Sequence, residues 1–118
     1  MALVTCDCTF RSGKMGRSFD CTAVGTTLAI ITKDSTQQTI YIEQVYLSCG
    51  SGAKLALWDG SGATGTMKIA HSADSSGALM NMMMDFGKDS IVCDDGSSVC
   101  ISAAADGAVW GFIKYYWG

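Results

Sequence analysis

What most constrains this chain is its punctuation. It has no proline and fourteen glycines, and between the glycines apolar residues alternate with polar ones in short runs. Turn signals recur at Val24-Gly25, Gly50-Ser51-Gly52, Asp59-Gly60-Ser61-Gly62, Ser76-Gly77, Asp95-Gly96 and Asp106-Gly107. Asp-Gly suits tight hairpin turns, because such turns ask for positive φ and glycine adopts it without penalty. Signals spaced about eight to twelve residues apart, or somewhat more, set the rhythm of a β-sandwich or barrel.

The runs between these signals read as strands. Val4, Cys6, Cys8 and Phe10 share one face of the first run, and Thr5, Asp7 and Thr9 the other. Residues 26–32 are rich in β-branched side chains. In residues 39–49, Ile40 and Ile42 keep one phase while Val45, Leu47 and Cys49 keep the opposite one. A slip near Glu43-Gln44 is what a β-bulge produces. Residues 54–58, 66–71, 90–93, 98–103 and 108–117 complete the pattern. Residues 78–86 have helix-forming propensity, yet Met80, Met82, Met84 and Phe86 alternate as in a strand. About nine strands result. Eight fit a two-sheet jelly roll, which leaves the first as an extra edge strand or an arm spanning residues 1–20. The expectation is an all-β, single-domain sandwich over residues 1–118.

Charge and composition narrow the function classes. Charged residues make up 16% of the chain and hydrophobic ones 48%, with a net charge of −3. The charged share lies below the roughly 25% of soluble proteins, which hints at surface covered by a partner. No run of like charge offers a nucleic-acid stripe. No segment approaches the about eighteen consecutive apolar residues of a membrane helix. The first eight residues lack the basic and apolar regions of a signal peptide, so folding in a cytoplasm is expected. Six cysteines, at 6, 8, 21, 49, 93 and 100, are then reduced at synthesis and read as core filling.

Candidate chemistry is sparse. His71 is the sole histidine, on a strand end, with no nucleophile motif beside it. Cys6, Cys8 and Cys21 are the nearest approach to a thiolate cluster, but their spacing departs from structural zinc sites. Asp94-Asp95 would point apart on a turn, and Asp59, Asp74, Asp85 and Asp89 write no calcium loop. No phosphate-binding glycine motif occurs. The methionines of residues 80–84 read as an apolar stripe. The expectation is a protein with no cofactor and no catalytic residues.

The last strand is more telling. It carries five of the chain's eleven aromatics: Trp110, Phe112, Tyr115, Tyr116 and Trp117. Val109, Ile113, Tyr115 and Trp117 share one face, and Trp110, Phe112 and Tyr116 the other, interrupted by Lys114. A strand apolar on both faces needs cover on both, so these aromatics are interface candidates. Arg11, Lys14 and Arg17, in the polar segment after the first run, are candidates for an arm that docks on an acidic neighbour or on phosphate.

The stretch Leu55-Ala56-Leu57-Trp58-Asp59-Gly60, followed by the strand-rich middle and Gly107-Ala108-Val109-Trp110-Gly111-Phe112-Ile113-Lys114-Tyr115-Tyr116, resembles small β-sandwich virion proteins of tailed bacteriophages. The nearest in kind are capsid decoration, or cement, proteins. The resemblance spans roughly the last two-thirds of the chain and rests on strand rhythm. It implies a homotrimer on the outside of an icosahedral head, bound to the major capsid protein and assembled in the host cytoplasm. Arg11, Lys14 and Arg17 would contact the shell. No catalytic residue comes with that family. Two rivals stay open: a carbohydrate- or receptor-binding spike domain using Trp58, Trp110 and Trp117, and a head–tail connector or tail component.

Overall fold

The computed structural model describes residues 3–21, 28–33, 39–49, 54–60, 65–72, 80–94, 98–103 and 108–118. They form ten strands: β1 (Leu3–Thr9), β2 (Met15–Cys21), β3 (Leu28–Thr32), β4 (Ile40–Cys49), β5 (Lys54–Asp59), β6 (Thr66–Ser72), β7 (Met80–Asp85), β8 (Ile91–Cys93), β9 (Ser98–Ala103) and β10 (Val109–Trp117). One sheet runs β1-β2-β10-β4-β7, with β8 also on β4, and the other runs β3-β9-β5-β6. Every pairing is antiparallel. With β1 set aside and β7–β8 counted as one broken strand, four strands face four in jelly-roll order.

Alternation explains the packing. Val109, Gly111, Ile113 and Tyr115 of β10 point between the sheets and are buried. They meet Phe19 and Cys21 of β2, Ile40, Ile42, Val45 and Leu47 of β4, and Leu57, Val99 and Ile101 from the opposite sheet. The slip expected at Glu43 is present. Lys114 pairs with Gln44 but Tyr115 with Ile42, so Glu43 is the extra residue. The bulge turns Ile42 and Val45 both inward while Glu43 and Gln44 stay partly exposed. A second register shift, between Ala29 and Ile31, lets neighbouring Ile30 and Ile31 both be buried.

Two expectations need correction. The polar segment with Arg11, Lys14 and Arg17 reads from sequence as following a single arm or edge strand within residues 1–20, yet Met15–Cys21 form β2, an integral strand held between β1 and β10. Its inner row reads Met15, Arg17, Phe19, Cys21, and the arginine breaks the apolar alternation that would have exposed it. The cysteines also divide. Cys21, Cys93 and Cys100 are buried, but Cys6 and Cys8 are exposed on β1 rather than filling the core. The side chain of Cys49 lies outside the described residues.

Cys93 sits at the end of β8, fully buried, and its thiol is pushed up to about 12 from an ordinary 9.0. Burial is the main cause, and the carboxylate of Asp59 adds to it. A group whose folded pKa is raised gives its full stabilisation below the unfolded pKa and loses it as pH rises toward the folded value. Between pH 9 and 12 the wild type is therefore expected to lose up to roughly 3–4 kcal/mol more than Cys93→Ala. Urea unfolding of both proteins at stepped pH measures the difference.

Candidate apolar face and edge of the larger sheet

The outward faces of β1, β2, β10, β4 and β7 make one surface, and register fixes its rows. Cys6, Ser18, Phe112, Tyr46 and Met83 lie side by side across five strands. Val4, Asp20, Trp110 and Ser48 form the next row, and Cys8, Gly16, Lys114, Gln44 and Asp85 the one on the other side. Met83 is 73% and Val4 66% exposed, large values for apolar side chains. An open groove of about 480 Å³ runs through this face, lined by Val4, Cys6, Ser18, Tyr46, Trp110 and Phe112 among others.

Aromatics and cations interleave at one end. Phe10 meets Phe112 edge-on at 6.1 Å, and Tyr41 stacks on Tyr116 at 5.1 Å. Lys114 stands over the Phe10 ring at 4.6 Å and Lys14 over Tyr116 at 5.1 Å, both within cation–π range. Glu43, brought out by the bulge, accepts a hydrogen bond from Lys14 and lies 3.6 Å from Lys114. These lysines hold its carboxyl below the usual range, the Lys14 hydrogen bond being the largest cause. Gly16 is needed for the fit. A Cβ there would lie 2.7 Å from the Phe112 ring and 2.8 Å from the Cys8 sulfur.

The expected interface residues therefore divide by face. Trp110, Phe112 and Tyr116 stand half-buried on the outer face. Tyr115 does not: it is 1% exposed, points into the core, and offers no surface to a partner in this fold. Trp117 packs partly buried against the core, edge-on to Tyr115 at 6.2 Å. Tyr41, Tyr46, Phe10 and Met83 belong to the same outer face but were not picked out from sequence. The phase slip carried that signal for Tyr46, since a strand with Val45 and Leu47 inside must put Tyr46 outside.

The basic trio does not form a shared docking arm. Arg11 is exposed in the β1–β2 turn. Lys14 is engaged by Glu43. Arg17 binds Asp7 bidentately, Nε to Oδ1 at 2.6 Å and Nη2 to Oδ2 at 3.0 Å. Its Nη1 also donates to the Ile30 carbonyl at 2.8 Å, which ties the larger sheet to the smaller. Arg17 is structural.

The other candidate sites are dispersed. Cys21 faces inward from β2 while Cys6 and Cys8 face outward, so the thiolate trio is split by the sheet. Asp59 is buried with Lys33, while Asp85 bonds the Gly87 N–H at the β7–β8 turn. The side chains of His71 and Asp74, like Asp95, lie outside the described residues. Among the described residues no three metal-ligating side chains converge. Trp58 donates from Nε1 to Ser102 Oγ at 2.8 Å on the smaller sheet, so it shares no platform with Trp110 or Trp117.

Comparison with protein families and with curated proteins finds no match. A solved structure is similar in fold over most of its length. It is a chain of Bacillus endospore appendages, described as a novel family of disulfide-linked pili. Identity is 19%, the TM-score 0.45, and the alignment covers 98% of this chain and 88% of that one.

Proposed function

We propose that this protein is a structural building block that self-associates through the outer face of its larger sheet. The observation that supports it most is the aromatic surface of Tyr46, Trp110, Phe112 and Tyr116 beside exposed Val4 and Met83. An exposed cluster of aromatic and aliphatic side chains rimmed by polar residues marks a surface that another protein covers. Its lysines are engaged by Glu43 and by aromatic rings, which leaves exposed Asp20 beside Trp110 and Asp85 at the margin as the charges a partner has to meet.

Sedimentation velocity under reducing conditions tests this. The wild type is expected to form oligomers at micromolar concentration, and Trp110→Ala with Phe112→Ala to weaken them on the order of 30-fold or more, as paired aromatic anchors do. A wild type that stays monomeric at high micromolar concentration overturns the proposal. Its narrower form is a capsid decoration protein, trimeric on the major capsid protein of a tailed phage. Support comes from the jelly-roll order, the strand rhythm quoted above and the exposed Arg11 on the β1–β2 turn. That form further expects a trimeric mass and saturable binding to purified phage heads, and a dimer or a helical fibre argues against it.

A further inference from the structure

Among the described residues β1 ends its sheet with no strand on its outer side, and its backbone states which atoms it offers there. The Phe10 N–H donates to the Lys14 carbonyl at 2.8 Å, and Ser18 Oγ donates to the Cys6 carbonyl at 3.3 Å. Even-numbered residues therefore turn their peptide groups toward β2. In an antiparallel ladder the groups alternate, so Leu3, Thr5, Asp7 and Thr9 turn theirs to the free edge. All seven β1 residues are exposed, and all seven pair with β2 without a register shift. Edges are ordinarily blunted by proline, bulges or charge. β3 and β6 carry register shifts and β7 breaks at the Gly87 turn before β8. β1 has none of these devices, and its one charge, Asp7, is held by Arg17 on the other side.

The strand is also self-complementary. Two copies of Leu3–Thr9 laid antiparallel pair in full only when partner numbers sum to twelve. Leu3 then meets Thr9 of the second copy, Val4 meets Cys8, Thr5 meets Asp7, and Cys6 meets Cys6. That register respects the parity above, because Thr5 with Asp7 and Leu3 with Thr9 exchange the outward hydrogen bonds. It also keeps the two Asp7 carboxylates from facing each other. Cys6 falls at a position without edge hydrogen bonds, where facing Cα atoms lie about 4.5 Å apart, inside the range a disulfide spans.

We propose that two copies of this chain join edge to edge along β1, with Cys6 facing Cys6 across the dyad and able to form a disulfide there. The partner is a second copy, and the inference rests on the self-association reading above while naming a different surface. Directly opposed residues share a face, so the two aromatic faces merge into one. The covalent step uses a small-molecule disulfide as oxidant. One Cys6 thiolate attacks it and releases one thiol. The facing Cys6 thiolate then attacks the mixed disulfide and releases the second, so one disulfide is reduced as another forms.

The test treats the full chain with oxidised glutathione and reads intact mass and non-reducing electrophoresis. A species of twice the 12.4 kDa monomer is expected, with Cys6 linked to Cys6 in its peptide map. Cys6→Ser should abolish it and Cys8→Ser should leave it. Thr5→Pro removes an outward N–H without touching the β2 ladder, and should cut linking at least tenfold with an unchanged circular dichroism spectrum. Linking that needs Cys8, or that survives Thr5→Pro in full, overturns the edge pairing. Linking that persists in Trp110→Ala with Phe112→Ala supports it, even where those changes abolish association through the face, so the two readings fail separately.

Discussion

Gly111→Ala is expected to cost about 3–5 kcal/mol, enough to leave the domain largely unfolded at moderate urea. Gly111 lies in the middle of β10, opposite Phe19 on one side and Leu47 on the other. A Cβ built there would sit 2.0 Å from the carbonyl oxygen of Tyr46 and 3.0 Å from the Phe19 ring. The ring can turn, but the carbonyl belongs to the central strand β4 and moves only if the ladder moves with it. Whole-domain stabilities run about 5–15 kcal/mol, so this one methyl takes a large share. With a urea slope of about 1–3 kcal/mol/M, the midpoint should fall by more than 1 M. Gly13→Ala is the contrast. Its φ of +89° carries a cost, but the space around it is open, and about 1–2 kcal/mol is expected.

The sheet order explains which features could be read from sequence. Turn spacing and period-two alternation are local, and they carried the all-β sandwich and the eight-strand roll. The slip at Glu43 was equally local, because a bulge must reverse the inward phase of a strand. β2 was hidden for a physical reason. Arg17 takes an inward position through its bonds to Asp7 and Ile30, so a charged side chain stands where alternation demands an apolar one.

Tyr115 shows a different limit. Alternation placed it on one face with Ile113, and the structure agrees, but sequence does not say which face the second sheet covers. Cys6 and Cys8 were misread for the same reason. Their phase is regular, yet it is the phase that β1 turns to the outer face, away from the smaller sheet. The outer aromatic face depends on register across five strands, and no single stretch of sequence contains it. Glu43 is the one residue linking local and global readings, since the bulge that exposes it also delivers a carboxylate to Lys14 and Lys114.

The buried ion pair should give the other large effect. Lys33 Nζ lies 2.5 Å from Asp59 Oδ1, with the lysine side chain 5% and the aspartate 0% exposed. The lysine follows β3 and the aspartate ends β5, so the pair spans β9 and fastens one end of the smaller sheet. Desolvating two charges offsets most of their attraction, so such a pair adds little over a well-packed apolar pair. Removing one partner is different, because the other charge stays in the core. Lys33→Met should cost about 3–5 kcal/mol and lower Tm by roughly 10–20 °C. Asp59 keeps its remaining interactions, which favours the lower end of that range. Lys33→Met with Asp59→Leu should recover most of the loss, and the double-mutant cycle reads the coupling directly. A single substitution costing under about 1 kcal/mol would mean that water reaches the pair, and that the smaller sheet is held at that end by apolar packing alone.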